Sequence, residues 1–458
     1  MQPANPELNL TAPEHSGRLD TLRRMARKHG GPLAALFVRV AAAGLAYVLQ
    51  ITLARYLGAE DYGVFAYAWA WVTIAGFGST FGFSQIGVRF LAEYSEHDKP
   101  ALALGFIRTG LAVVGIGAVA LAIGGSAYMN ANPDMFGARY TTPLLLMLVT
   151  VPLFAIGDLA EGYARSHGWS LLALAPPYIL RQLLLIAAIP AVYLMGIQPT
   201  ATIAMGAALL ATLVAAVLQL HVTLRRLLAT LPAGIQPRYA LKTWCSAAWP
   251  VFLGDVAQVL RQNVDIIVLA MYVEPGQLAL YFAATRVASM LGLIEFAVGA
   301  AAAHRFARIR PDSGTDELRH LARQSANLTF WPTLIAAGGL ALLATPVLAL
   351  FGAAYVDAAP LVLIMALGFV LRAAIGPAEE FLMMRGHSRA VMLAQFLGLE
   401  TTALLCWRFV PEQGATGAAL GVLGALAVTT LVLAICCRRL TGVVPLPMPS
   451  RNLPTRKS

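Results

Sequence analysis

From Leu33 onward, apolar runs of about twenty residues or more alternate with short polar or Gly/Pro-bearing connectors such as GIQPT (196–200) and VEPGQ (273–277). A helix that crosses a bilayer needs about 20 mostly apolar residues, so each run is read as a span. The pattern predicts twelve: 33–54, 62–88, 102–127, 141–164, 171–195, 200–223, 244–272, 279–303, 326–350, 358–384, 390–409 and 414–436. No connector is long enough for a separate soluble domain. Residues 1–30 are read as a basic tail, within which TLRRMARKHG (21–30) fits either a solvated segment or a basic surface helix. A cleaved signal peptide is not expected. The basic cluster precedes a run too long for that role, and no small-residue cleavage site follows it.

Composition agrees with the pattern. Of 458 residues, 58% are hydrophobic and 12% charged, and mean hydropathy is +0.69. Soluble domains carry about a quarter charged residues, so the solvent for this chain is lipid. Placing the N-terminus in the cytoplasm, and counting Arg108 and Arg408 near their span ends with the adjoining loops, puts 25 of the 33 Lys and Arg residues in inner loops and tails, three in outer loops (Arg55, Arg139, Arg408) and five within spans. That bias is the positive-inside signature. It gives a multi-pass membrane protein with both termini cytoplasmic. It also accounts for the net charge of +10 without a nucleic-acid partner. Cys245, Cys406, Cys436 and Cys437 lie in or beside spans without metal-ligand spacing and read as packed thiols. No phosphate loop, zinc motif or nucleophile elbow is present, and glycines in GFGSTFG (76–82) and GAALGVLG (417–424) read as close helix contacts.

A weak repeat runs through the chain. ARYLGAEDYGVFAYA (54–68) aligns with AMYVEPGQLALYFAA (270–284), MFGARYTTP (135–143) with LFGAAYVDAAP (350–360), and GDLAEGYARSHG (157–168) with GPAEEFLMMRGH (376–387). The offset stays between 215 and 219. A unit of six spans repeats in the same orientation, which places a pseudo-two-fold axis along the membrane normal and a cleft between two bundles. The expected fold is therefore an all-α integral membrane protein of about twelve helices, in two parallel-repeat six-helix bundles around a central cavity. The expected boundaries are a tail 1–30, an N-lobe 31–225, a linker 226–243, a C-lobe 244–440 and a tail 441–458.

Charges inside spans are costly and face cavities or partners. Five arginines, Arg39, Arg181, Arg261, Arg286 and Arg372, lie there with no lysine. Guanidinium keeps its charge when buried and binds phosphate bidentately. Arg39, Arg261, Arg286 and Arg372, with Gln258 and Gln262, are thus expected to bind an anionic substrate. In span 7, Asp255, Gln258, Gln262 and Asp265 share one face. On span 4, Asp158, Glu161 and Arg165 cluster. The bland alternative is static pairing, such as Arg261 with Asp265 or Arg372 with Glu379. The repeat maps Arg39 onto Asp255 and Arg181 onto Glu400, pairs that could close across the cleft in one state and part in another. Asp255, Asp265, Glu295, Arg181 and Glu400 are therefore expected to serve ion coupling or gating. No cofactor is expected, and coupling to a proton or sodium ion is left open.

LARYLGAEDYGVFAYA, VDIIVLAMYVEPGQLALYFAATRVAS (264–289), LFGAAYVDAAPLVLIMALGFVL (350–371) and PEQGATGAALG (411–421) occur in that order. Together they resemble the polysaccharide transporter (O-antigen flippase) branch of the multidrug/oligosaccharidyl-lipid/polysaccharide exporter superfamily, over about residues 33–440. The family's LGPxxYG at the first hairpin is LGAEDYG here, with Ala59 in the proline position. The resemblance implies a flippase that moves an undecaprenyl-pyrophosphate-linked oligosaccharide by alternating access through a cationic cavity. It also implies work alongside a polysaccharide polymerase and glycosyltransferases. A lipid II flippase, a multidrug exporter of the same superfamily and a membrane enzyme of polysaccharide assembly remain as alternatives. An exporter of cationic drugs would have a more acidic or aromatic cavity.

Overall fold

The computed structural model describes the backbone of residues 15–308 and 315–447, with side chains from residue 41 onward except 304, 307, 308, 315 and 316. No strand occurs among the described residues. In the first half, α1 (His15–Gly78) is followed by α2 (Phe83–Glu96), α3 (Pro100–Ala131), α4 (Ala138–Ser166), α5 (Ser170–Ala175), α6 (Arg181–Leu194) and α7 (Ala201–Ala229). The second half holds α8 (Leu241–Arg261), α9 (Val264–Ala270), α10 (Pro275–Ser289), α11 (Gly292–Arg308) and α12 (Thr315–Ala349). It ends with α13 (Ala359–Ala373), α14 (Ala378–Met384), α15 (Ser388–Gln413) and α16 (Ala415–Thr441).

Broken helices reconcile these elements with twelve crossings. α1 is two arms joined at Gly58, whose φ of 77° and ψ of 174° leave the helix. A side chain there would be strained, so glycine suits the turn. Tyr62 Oη donates to Gln50 Oε1 at 2.8 Å, although twelve residues of straight helix span about 18 Å. The chain therefore folds back at Gly58. The second arm continues into α2, α5 joins α6 through a π turn at Pro176–Leu180, and a 3₁₀ turn (Ala353–Ala358) leads into α13. Pro176 and Pro177 lack amide donors, which accounts for the π turn. Among the described residues nine helices, some of these joined pieces included, are long and apolar enough to cross a membrane. The two arms of α1, the second with α2, and the more polar α8–α9 supply the remaining crossings. The chain is a multi-pass membrane protein of two repeated helical bundles.

The expected close glycine contacts form throughout 417–424 and at Gly76 and Gly82, while Gly78 has nothing within 4 Å. Gly417, Gly421 and Gly424 of α16 abut Phe409, Cys406 and Leu405 of α15, at distances that leave little or no room for a side chain. Gly76 abuts Phe154 in the same way.

The two repeat-related hairpins meet on the face opposite the basic loops. A Cβ at Gly63 would sit 1.9 Å from the Pro275 carbonyl oxygen. Tyr62 packs edge-on against Phe282 (5.7 Å) and Tyr355 (6.1 Å), and Arg55 Nε donates to Leu350 O at 2.6 Å, just past the end of α12. One buried core cluster runs across this contact, from Leu49 to Ala419. On the basic face the bundles also touch. Trp244 Nε1 donates to Tyr94 Oη at 2.8 Å, Trp244 packs edge-on against Phe106, and Arg238 N donates to Ala101 O at 2.8 Å.

Candidate functional site: two adjoining cavities between the bundles

The larger cavity, about 520 Å³, lies between α1, α4, α5–α6 and α8. Its polar wall is built by helical spacing. Asp158, Glu161 and Arg165 recur at three and four residues along α4, and Asp255, Gln258 and Gln262 do the same along α8. Arg165 Nε approaches Glu161 Oε1 at 3.7 Å, and its Nη2 donates to Gln85 Oε1 at 3.2 Å. Three carboxylates therefore face this space with one guanidinium among them. Gln85, Gln182, Phe77 and Tyr178 complete it. Asp158 and Glu161 were legible as a cluster in the sequence. Gln85, Tyr178 and Gln182 were not, because nothing local marks which polar residues of separate spans converge.

The second cavity, about 500 Å³, is lined by Arg261, Gln262, Asn263 and Asp265, and by Arg286 across from them. Phe77, Val259 and Gln262 line both spaces, so they adjoin. Arg286 lies over the Phe282 ring at 4.4 Å, and its backbone carbonyl accepts from Tyr47 Oη. Neither Arg261 nor Arg286 has a carboxylate within 4 Å among the described residues, and the buried Nε of each has no hydrogen-bond partner. Arg286 stands eleven residues past Pro275, about 17 Å along a helix. That is about half of a hydrocarbon core of roughly 30 Å.

The static pairing of Arg261 with Asp265 does not form. Span 7 was read as one continuous helix, and it breaks between α8 and α9 at Asn263 (φ −136°, ψ −8°). The Asn263 amide bonds back to Leu260 O, and its side-chain Nδ2 takes Val259 O at 2.9 Å. The break rotates Asp265 off the α8 stripe. It is buried, accepts from Tyr281 Oη at 2.5 Å, and its Oδ1 has no partner.

The other expected site residues fall elsewhere. Arg372 is buried and held by Glu295 (2.8 Å) and Glu379 (2.9 Å), with Gln395 donating to the same Glu379 oxygen at 2.8 Å. Two carboxylates neutralise its guanidinium through Nη2, while its buried Nη1 has no partner. Arg181 lies over Trp69 (5.1 Å) and Phe154 (5.7 Å), in a side pocket of about 170 Å³ beside Asp158 and Glu161. Its expected partner Glu400 is exposed on α15. The two do not meet, because Arg181 turns into its own bundle. Arg39 lies on α1 one turn before Ala42 and Ala43 of the larger cavity, and its side chain lies outside the described residues. A uniformly cationic cavity is not what the described residues form. One compartment is rich in carboxylates and amides, the other in guanidiniums. No group of residues able to hold a metal ion occurs among the described residues.

The family model for polysaccharide biosynthesis proteins matches residues 32–309. The chain belongs to that family. No curated protein matches it in sequence. Solved transporter structures share its fold at low identity. The lipid II flippase MurJ in an inward closed conformation is 16% identical, with a TM-score of 0.71 over 89% of this chain and 87% of that one. An inward-facing MATE multidrug resistance transporter of the MOP superfamily is 15% identical, with a TM-score of 0.71 over 89% of this chain and 98% of that one. An outward-facing MATE structure, 15% identical over 89% and 94%, scores 0.59.

Proposed function

We propose that the protein is a flippase. It carries an undecaprenyl-pyrophosphate-linked oligosaccharide across the bacterial inner membrane by alternating access, for O-antigen, capsule or exopolysaccharide assembly. The observation that carries this reading is the pair Arg261 and Arg286. They are two guanidiniums lining one cavity, Arg286 at about mid-membrane depth, with no described carboxylate within 4 Å of either. Buried cations of this kind are costly unless an anion completes them, and a pyrophosphate offers bidentate acceptors to each. The basic face is cytoplasmic in this reading, residues 31–225 and 244–440 act as the two moving lobes, and 226–243 links them. Transport makes and breaks no bond, so no catalytic residue or cofactor is assigned.

Coupling is placed at Glu295. A proton or sodium ion taken up there would weaken its hold on Arg372 and loosen α11 from α13. Asp255 and Asp265 are then free to act within the two cavities. A second reading, export of cationic drugs, is favoured by the carboxylates and aromatic rings of the larger cavity. The two readings separate in proteoliposomes. Flipping of a fluorescent polyprenyl-pyrophosphate glycan, competed by the unlabelled lipid and not by a cationic dye, is the expected result. Uptake of the dye without lipid flipping would replace this proposal with the second reading. Equal competition by lipid II would move the substrate to the MurJ type.

A further inference from the structure

The flippase reading leaves the larger cavity without a role, and its chemistry is the opposite of an anion site. We propose that this carboxylate- and amide-lined cavity is the compartment for the glycan, and that it selects neutral or amino sugars over uronic acids. The inference rests on the flippase reading and adds to it the class of sugar carried.

Three features of the wall carry it. First, the hydrogen-bonding inventory suits hydroxyl groups. Carboxylates of Asp158, Glu161 and Asp255 accept only, while the amides of Gln85, Gln182 and Gln258 both donate and accept. A polyol presents both kinds of group in quantity. Second, part of that capacity is unused: Gln182 Oε1 is buried with no hydrogen-bond partner. Third, the Phe77 and Tyr178 rings offer flat apolar faces beside the polar groups, which the C–H face of a pyranose can cover. The volume of about 520 Å³ lies within the usual range of about 300–1,000 Å³ for small-molecule pockets.

Charge then sets the selectivity. Three carboxylates face this space against Arg165, and Arg181 stands behind the wall with its guanidinium over Trp69 and Phe154. A uronate would bring a further anion beside Asp158 and Asp255, and like charges brought together in a poorly solvated site repel strongly. An amino sugar would be welcomed. The shared wall at Phe77, Val259 and Gln262 puts the glycan compartment next to Arg261 and Arg286. That is the order of groups in a glycan joined to a pyrophosphate.

The test uses the full-length protein in nanodiscs and three probes: polyprenyl pyrophosphate alone, the same lipid bearing a neutral trisaccharide, and the same lipid bearing a trisaccharide with one uronic acid. Wild-type protein is expected to bind the neutral glycolipid at least roughly tenfold more tightly than the uronate form. Asp158→Asn with Asp255→Asn is expected to bring the two glycolipids within about threefold of each other, with thermal melting in detergent checking that the variant is folded. Equal wild-type affinity for the two glycolipids overturns the glycan compartment and leaves the flippase reading standing. So does a gap that persists in the folded double variant. Failure of all three lipids to bind overturns both.

Discussion

Arg286 and Arg372 differ in their surroundings far more than in their sequence setting. Arg372 is clamped by Glu295 and Glu379. Its replacement by Ala leaves those carboxylates facing one another without a cation, and breaking a buried pair in this way costs about 3 kcal/mol. Arg372→Ala is therefore expected to lower the thermal unfolding midpoint in detergent by several degrees, with partial recovery when Glu379→Gln is added. Arg286 has no such partners. Arg286→Ala is expected to insert and melt as wild type does, while lipid flipping falls about tenfold or more. Arg286→Lys should restore only part of that rate, since an ammonium lacks the planar fork. Flipping at the wild-type rate in Arg286→Ala would remove this residue from the substrate path. The sequence placed both arginines in spans with substrate binding expected for each, and offered a static partner, Glu379, for Arg372. Only their neighbours on other helices decide between the two.

At the scale of elements, the first hairpin shows what short-range pattern does and does not reveal. The polar stretch between the first two spans was readable as a connector. The separate role of each charge was not. Asp61 Oδ1 accepts from Ala201 N at 2.8 Å and so caps the start of α7. Arg55 reaches the end of α12, and Glu60 pairs with the exposed Arg139. Asp61→Ala is expected to cost about 1 kcal/mol in unfolding free energy, the usual worth of a helix cap. Glu60→Gln should leave stability unchanged, because an exposed ion pair contributes little. Equal effects in the two variants, read by thermal melting, would contradict this assignment. The break in span 7 escaped the sequence pattern for a related reason. Glycine and proline are the usual punctuation of helices, and here an asparagine side chain donates to the Val259 carbonyl beside the break.

For the whole molecule, the duplicated hairpins act as the closure of one face. Gly63 packs on the backbone of Pro275, and its repeat equivalent Ala279 is fully buried. Any side chain at residue 63 must push the bundles apart. Gly63→Ala and Arg55→Ala are expected to shift the population toward the form open on that face. In a background with the four native cysteines replaced, Phe369→Cys would report it, since Phe369 lines the arginine-bearing cavity. Labelling by a membrane-impermeant thiol reagent from the hairpin side should rise several-fold in both variants. Unchanged labelling would mean that this contact does not control access. The repeat carries a further trace in the acidic groups. Glu161 and Glu380 are equivalent at the offset of 219, and each stands in a carboxylate cluster at the end of its bundle's fourth span.

The amino-acid sequence alone determined the solvent, the number of crossings, the charge bias between faces and the duplication. Each of these is a property of a local window of residues or of one window compared with another. The tertiary structure decided which buried charges are neutralised, where a span breaks without glycine or proline, and how the cleft divides into an acidic and a basic compartment. Those outcomes depend on side chains from separate spans arriving within a few ångströms of one another. Electrostatic cost in a poorly solvated interior changes steeply over that distance, and spacing along the chain does not encode it.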